Sequence, residues 1–110
     1  MPFGLSTVGG GRWHNERTIS ASTTALLTDE VLLVDATAAP VVITLPALAQ
    51  AGAGFRLTAK KIDSSANAMT LDGSGAETID GAATLATTTQ WASRTVQASP
   101  ANANWMRLFF

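Results

Sequence analysis

Residues 55–85 read FRLTAKKIDSSANAMTLDGSGAETIDGAATL, a stretch that leaves room for little except short strands and turns. Phe55, Leu57 and Ala59 alternate with Arg56, Thr58 and Lys60, the two-residue period of a strand with one buried face. Asp63-Ser64-Ser65-Ala66-Asn67 follows, a run whose side chains bond to nearby backbone and favour a turn. Met69 and Leu71 resume the apolar face until Asp72-Gly73. Glu77-Thr78-Ile79 makes a further short run until Asp80-Gly81. Both Asp-Gly pairs predict hairpins, because glycine supplies the positive φ of primed two-residue turns.

The flanking segments extend the β pattern. Val31-Leu32-Leu33-Val34 is a continuous apolar run of strand length, and Val41-Val42-Ile43-Thr44-Leu45 is β-branched until Pro46 ends it. Residues 47–53, ALAQAGA, are the one helical candidate, limited by Gly52 and Gly54 to about two turns. In residues 90–98, Trp91, Ser93, Thr95 and Gln97 alternate with Ala92, Arg94, Val96 and Ala98. Apolar groups fall on both sides there, so the inward face stays open. Residues 104–110 carry Trp105, Arg107 and Phe109 on one face and Met106, Leu108 and Phe110 on the other. Either this is a central strand covered on both sides, or one face lies against neighbouring copies. Trp91, Trp105, Phe109 and Phe110 are therefore the candidates for a subunit interface. The fold expected for residues 18–110 is all-β: a compact antiparallel β-sandwich or small barrel of about seven to eight short strands.

At 110 residues the chain is one domain, and a domain of that size buries only about two thirds of its unfolded-chain surface. Its 46% apolar content is weighted towards alanine, so the core is thin and most easily completed by a partner subunit. Without cysteine, neither disulfides nor thiolate metal sites brace it. A net charge of −1 gives no electrostatic case for nucleic acid, which needs clustered cations. The apolar runs are too short to span a bilayer, and the N-terminal residues lack a signal-peptide core, so neither membrane insertion nor export is expected.

Residues 1–17, MPFGLSTVGGGRWHNER, differ in character from the rest. Gly9-Gly10-Gly11 forms a joint, with Phe3 and Leu5 before it and Arg12, Trp13, His14 and Arg17 after it. One reading is a frayed terminus. The reading favoured here is an extended N-terminal arm that docks on a partner through Phe3, Leu5, Arg12, Trp13 and Arg17.

No catalytic, metal or cofactor site is expected. The single histidine, His14, has no nucleophile beside it, and no serine has a G-x-S-x-G setting. Asp72, Glu77 and Asp80 sit beside turn glycines, which explains them without a reaction. Together with Ser74 they do not match the spacing of an EF-hand calcium loop. Gly73-Ser74-Gly75 lacks the lysine and helix of a phosphate loop. Lys60-Lys61 with Arg56 reads as a solvated face or a guarded strand edge. Trp91 and Trp105 read as core or interface groups, with a sugar-stacking platform as the alternative.

The residues quoted above also form a pattern. The lysine pair with Asp63-Ser64-Ser65-Ala66-Asn67-Ala68, then Asp72-Gly73 and Glu77-Thr78-Ile79-Asp80-Gly81, resembles a module common in tailed-bacteriophage virion proteins. The likeness extends to Ile43-Thr44-Leu45-Pro46-Ala47 and to Asn104-Trp105, about two thirds of the chain. Ser99-Pro100-Ala101-Asn102-Ala103 departs from the Ser-Asp-Gly usual before the Asn-Trp pair, so the last hairpin is expected to differ in shape. The module occurs in capsid-decoration, head-fibre and tail-fibre polypeptides. The resemblance implies a non-enzymatic capsid decoration (cement) protein, a homotrimer that binds the major capsid protein on the head surface after assembly in the host cytoplasm. The alternative it implies is a head-fibre or tail-fibre domain that binds host-surface glycans.

Overall fold

The computed structural model describes residues 15–109. Ten strands and one helical turn succeed one another in these residues: β1 (Glu16–Ile19), β2 (Thr23–Thr24), β3 (Val31–Val34), β4 (Val41–Thr44), α1 (Leu48–Ala51), β5 (Arg56–Lys61), β6 (Met69–Asp72), β7 (Thr78–Ile79), β8 (Thr84–Thr87), β9 (Ser93–Ser99) and β10 (Asn104–Leu108). They form a six-stranded sheet in the order β1-β3-β5-β9-β10-β7 and a four-stranded sheet in the order β2-β4-β6-β8. The apolar residues of both sheets belong to a single core cluster, so the molecule is sandwich-like.

The antiparallel expectation is corrected. From β1 to β6 each strand joins the opposite sheet to its predecessor, so β1, β3 and β5 pair in parallel, as do β2, β4 and β6. That half of the chain is a flattened coil. Antiparallel pairing begins only with β8 on β6, β9 on β5 and β10 on β9, while short β7 lies parallel to β10. The difference has a plain cause. Turn-forming residues reveal that the chain reverses, but not which sheet receives the next strand. Residues 35–40 and 62–68 each cross between sheets instead of closing a hairpin within one.

The two Asp-Gly pairs behave differently. Asp80 and Gly81 have φ of 49° and 83°, and Ile79 and Ala82 exchange both backbone hydrogen bonds (2.6 and 2.9 Å), as in a two-residue primed turn. Asp72-Gly73 makes no such turn, because the chain leaves β6 for β7 in the other sheet. Gly73 is required for another reason: a Cβ there would lie 2.1 Å from the Glu77 carbonyl oxygen. The final hairpin, β9 to β10, closes through a 3₁₀ turn at Pro100–Asn102 and a left-handed Ala103.

Inward residues follow the period of two. Leu57, Ala59 and Lys61 are buried on β5, and Val96 and Ala98 on β9, which settles the face of residues 90–98 that the sequence left open. Trp105 is fully buried and meets Phe55 edge to face at 6.1 Å and 80°. Trp105 is therefore a core residue and offers no surface to a neighbouring subunit, a correction to its candidacy as an interface group. α1 is a single turn, shorter than the residues around it predict.

The glycines separate two kinds of backbone constraint. Gly81→Ala should destabilise by about 1–2 kcal/mol, since only the left-handed φ opposes it. Gly73→Ala should cost more, about 3 kcal/mol or above, because the β6–β7 backbone must move. Urea unfolding of the two variants checks the order.

Candidate functional site

The polar residues of the module turn out to be joints between segments. Glu77 caps the start of α1, its carboxylate accepting from Leu48 N at 3.0 and 3.3 Å. Asp80 Oδ1 accepts from Arg107 N at 3.0 Å. Asn104 Oδ1 accepts from Thr78 Oγ1 at 2.8 Å and from Gly81 N at 3.3 Å, tying the primed turn to β10. Of the carboxylates weighed as a reaction pair or a calcium set, Glu77 and Asp80 are thus held by backbone amides at two separate joints. Among the described residues no three metal-ligating side chains cluster.

The largest departure from the sequence reading lies at Lys61. It is fully buried, not part of a solvated face. Its amine donates to Asp63 Oδ2 at 2.7 Å, to the Asp63 carbonyl at 3.1 Å and to the Ser65 carbonyl at 2.8 Å. Asp63 also accepts from Ala36 N at 2.7 Å, from Ser65 N at 3.1 Å and from the Ser65 hydroxyl. Asn67 Nδ2 donates to the Ala36 and Thr37 carbonyls at 2.8 and 3.3 Å, so residues 62–68 are bound to residues 35–40. Burial alone would push the Asp63 carboxyl up. The bonds from Lys61, Ser65 and the Ala36 amide outweigh it and hold the group well below the usual carboxylate range. A signal for this was present: Lys61 is the next in-phase position after Phe55, Leu57 and Ala59.

Surface features elsewhere are the candidates for recognition. Trp91 is 59% exposed in the β8–β9 loop with φ of 70°, and Phe109 is 74% exposed after β10 with φ of 61°. Large aromatics rarely adopt the left-handed region, and such strain costs about 1–3 kcal/mol each. Because Leu108 pairs with Thr95, the start of β9 and the end of β10 lie together, and both aromatics project from that end of the hairpin. Lys60 Nζ sits 5.9 Å from the Trp91 ring centre, a cation–π approach.

A groove of about 680 Å³ opens on the outer face of the six-stranded sheet. Val31, Thr58 and Thr95 form one row across its floor, with the two threonine hydroxyls 2.8 Å apart. Phe55, Phe109 and the loop 27–30 also line it. That loop is braced. Arg17, expected as an arm contact, lies in β1 and binds Asp29 with both Nε (3.1 Å) and Nη2 (2.7 Å). Asp29 Oδ2 in turn accepts from Leu26 N at 2.7 Å, and Asn15 Nδ2 donates to the Thr28 carbonyl at 2.8 Å. Burial raises the Asp29 carboxyl, but the bonds from Arg17 and Leu26 bring it below its ordinary value. The brace leaves Leu26 and Leu27 each 52% exposed. Of the other expected contacts, Phe3, Leu5, Arg12, Trp13 and Phe110 lie outside the described residues.

The depressed Asp63 pKa fixes the sign of one pH effect. Its contribution to stability is complete above the unfolded carboxylate value, about pH 4, and is lost as pH falls below that towards the lower folded value. Asp63→Asn should lower the melting temperature at pH 7 by more than about 10 °C and flatten the acid limb of the stability curve between about pH 4 and pH 2. Thermal unfolding across that range, followed by circular dichroism, checks both.

No family model matches the chain, and no curated protein matches it.

Proposed function

We propose that this chain is a non-enzymatic phage virion structural protein, a capsid decoration protein that binds and stabilises the head shell as a homotrimer. The observation that carries the reading is the pair of strained, exposed aromatics, Trp91 and Phe109, together with the exposed leucines Leu26 and Leu27, of which Leu27 lines the same groove as Phe109. Strain at a surface position persists where the position serves contact, and large exposed apolar side chains lower free energy when a partner covers them. The motif resemblance supplies the partner class, the major capsid protein. A cement protein needs contact area and no turnover, which suits carboxylates committed to backbone amides. The N-terminal residues Phe3, Leu5, Arg12 and Trp13 are its further contacts, while Arg17 supports the body through Asp29.

A second reading is favoured by one feature: Trp91 stands on a loop with Lys60 beside it, the disposition of a sugar-stacking platform. In that case the chain is a head-fibre or tail-fibre domain that binds host-surface glycans.

Binding to purified phage heads, quantified as copies per capsid, tests the first reading. Trp91→Ala and Phe109→Ala should each weaken attachment at least tenfold while leaving the melting temperature within a few degrees, about the loss of one interface anchor. Undiminished saturation by both variants rules the contact assignment out. Glycan-array binding that depends on Trp91, without capsid binding, transfers the assignment to the fibre reading.

A further inference from the structure

We infer that the open edge of β8 takes an extended segment of another protein as a further strand of the smaller sheet, and that this segment carries an acidic side chain over Arg94 and Arg107. The inference goes beyond the capsid reading. It rests on none of Leu26, Leu27, Trp91 and Phe109, and it holds for whichever protein supplies the strand.

The edge is shaped to receive a strand. The larger sheet ends in β1 and β7, the smaller in β2 and β8. β1 carries Glu16 and Arg17, while β2 and β7 have two residues each, the usual ways of guarding an edge. β8 has four residues, and no charged residue or proline occurs from Gly81 to Ser93. On β6, the Ala68 and Asp72 carbonyls accept from Val41 N and Leu45 N of the β4 side, and Gly73 N donates to the Ala83 carbonyl at 3.1 Å. The alternation of an antiparallel pair then turns the backbone groups of Leu85 and Thr87 towards β6. Those of Thr84 and Ala86 face outwards, and both residues are exposed. Their N–H and C=O groups have the spacing that an added strand matches.

The face beside that edge sets the chemistry. The orders β1-β3-β5-β9 and β2-β4-β6-β8 run in step, because the chain crosses between the sheets from β1 to β2, β3 to β4, β5 to β6 and β8 to β9. β8 therefore lies opposite β9, and no strand of the smaller sheet lies opposite β10. A strand added about 4.8 Å beyond β8 lies across from β10. On this inner face Arg94 is in phase with Val96 and Ala98, and Arg107 with Trp105. Trp105 is enclosed, whereas Arg107 and Arg94 stay half-buried. Because Arg107 pairs with Val96, the two arginines are diagonal neighbours.

Their charges lack compensation from this chain at Arg94. Its Nη1 donates to the Ser93 carbonyl at 2.9 Å, and its Nε is enclosed without an acceptor. Among the described residues no carboxylate forms a salt bridge with it. Asp80, on the turn beside β10, gives Oδ1 to the Arg107 amide. Burial, and then the charge of Arg107, lower the Arg94 pKa, so a facing anion would stabilise the cation. A carboxylate does this for Arg17, which holds Asp29 with two bonds. An arginine and a facing acidic side chain together span the gap of about 10 Å between packed sheets. The β8 strand of a second copy fits less well, because it would set threonine and alanine over both arginines.

The test is a titration of the full-length protein, labelled with nitrogen-15, against short peptides of alternating threonine and valine. Glutamate, glutamine or lysine occupies each position in turn, so that every register is sampled. Glutamate peptides should slow hydrogen exchange of the Thr84 and Ala86 amides about tenfold or more. Glutamine peptides should bind about tenfold more weakly, and lysine peptides should not bind. Arg94→Gln should remove the preference for glutamate over glutamine while the edge still binds. A glutamate peptide N-methylated on the residues facing the edge should lose the protection, a control that leaves the protein unchanged. Exchange of the β5 and β9 amides in the same spectra reports whether the variant keeps its core. Absence of protection by every glutamate peptide at millimolar concentration overturns the inference, and so does equal binding of glutamate and lysine peptides. Protection of Ala86 that grows with protein concentration in the absence of peptide overturns it too, by assigning the edge to a second copy. None of these results bears on attachment to phage heads through Trp91 and Phe109, so the two readings fail separately.

Discussion

The buried contact between Lys61 and Asp63 is the constraint around which the rest of the structure is arranged. Parallel pairing puts Ile19, Val34 and Lys61 in one row on the inner face of the six-stranded sheet. An ammonium group in such a row must find compensating acceptors, since burying it alone is prohibitive. It finds the Asp63 carboxylate and two carbonyls of the next crossing. Asp63 then has oxygen capacity left for Ala36 N in the previous crossing. One ion pair thereby fixes the distance between consecutive crossings, and with it the registration of β3 on β5 and of β4 on β6. Apolar replacements of equal volume often restore the stability of buried pairs elsewhere. Here they would leave the Ala36 amide without its acceptor and the crossing without its tie.

Of the many alanines only Ala25, Ala36, Ala59 and Ala98 enter the core, which is otherwise built of larger side chains, and hydrogen-bonded joints supplement it. Glu77 holds α1, Asn104 and Asp80 hold the primed turn on β10, and Arg17 with Asp29 holds the loop beside the groove. Each joint leaves its polar residues satisfied and its surroundings fixed. Trp91 keeps its left-handed backbone with its amide bonded to the Lys61 carbonyl at 2.7 Å, which mounts the exposed ring on the strand that carries the buried lysine.

Most of the polar residues and glycines that carry the motif resemblance are joint residues. Lys61, Asp63, Ser65, Asn67, Gly73, Glu77, Asp80, Gly81 and Asn104 each have a mechanical reason to be what they are. Such a pattern specifies a scaffold and not a use. The groups proposed to make contact, Leu26, Leu27, Trp91 and Phe109, lie outside it. The proposed contacts belong to the surface between the joints, which is why fold and function need separate arguments.

The sequence by itself determined that the chain is β-rich, that Leu57 and Ala59 face inward, that Asp80-Gly81 turns tightly, and that residues 63–67 bond to nearby backbone. All of these follow from local period or local stereochemistry. Tertiary structure alone decided the rest. Whether a strand returns to its own sheet or crosses to the other depends on which row its inner residues complete, and that choice made the first half a parallel coil. It turned Lys61 from a surface cation into the centre of the molecule, required Gly73 for an approach of backbone to backbone, and enclosed Trp105 while leaving Trp91 outside. Local signals fix the conformation of a segment. Only the pairing of segments distant in the chain fixes what each side chain meets.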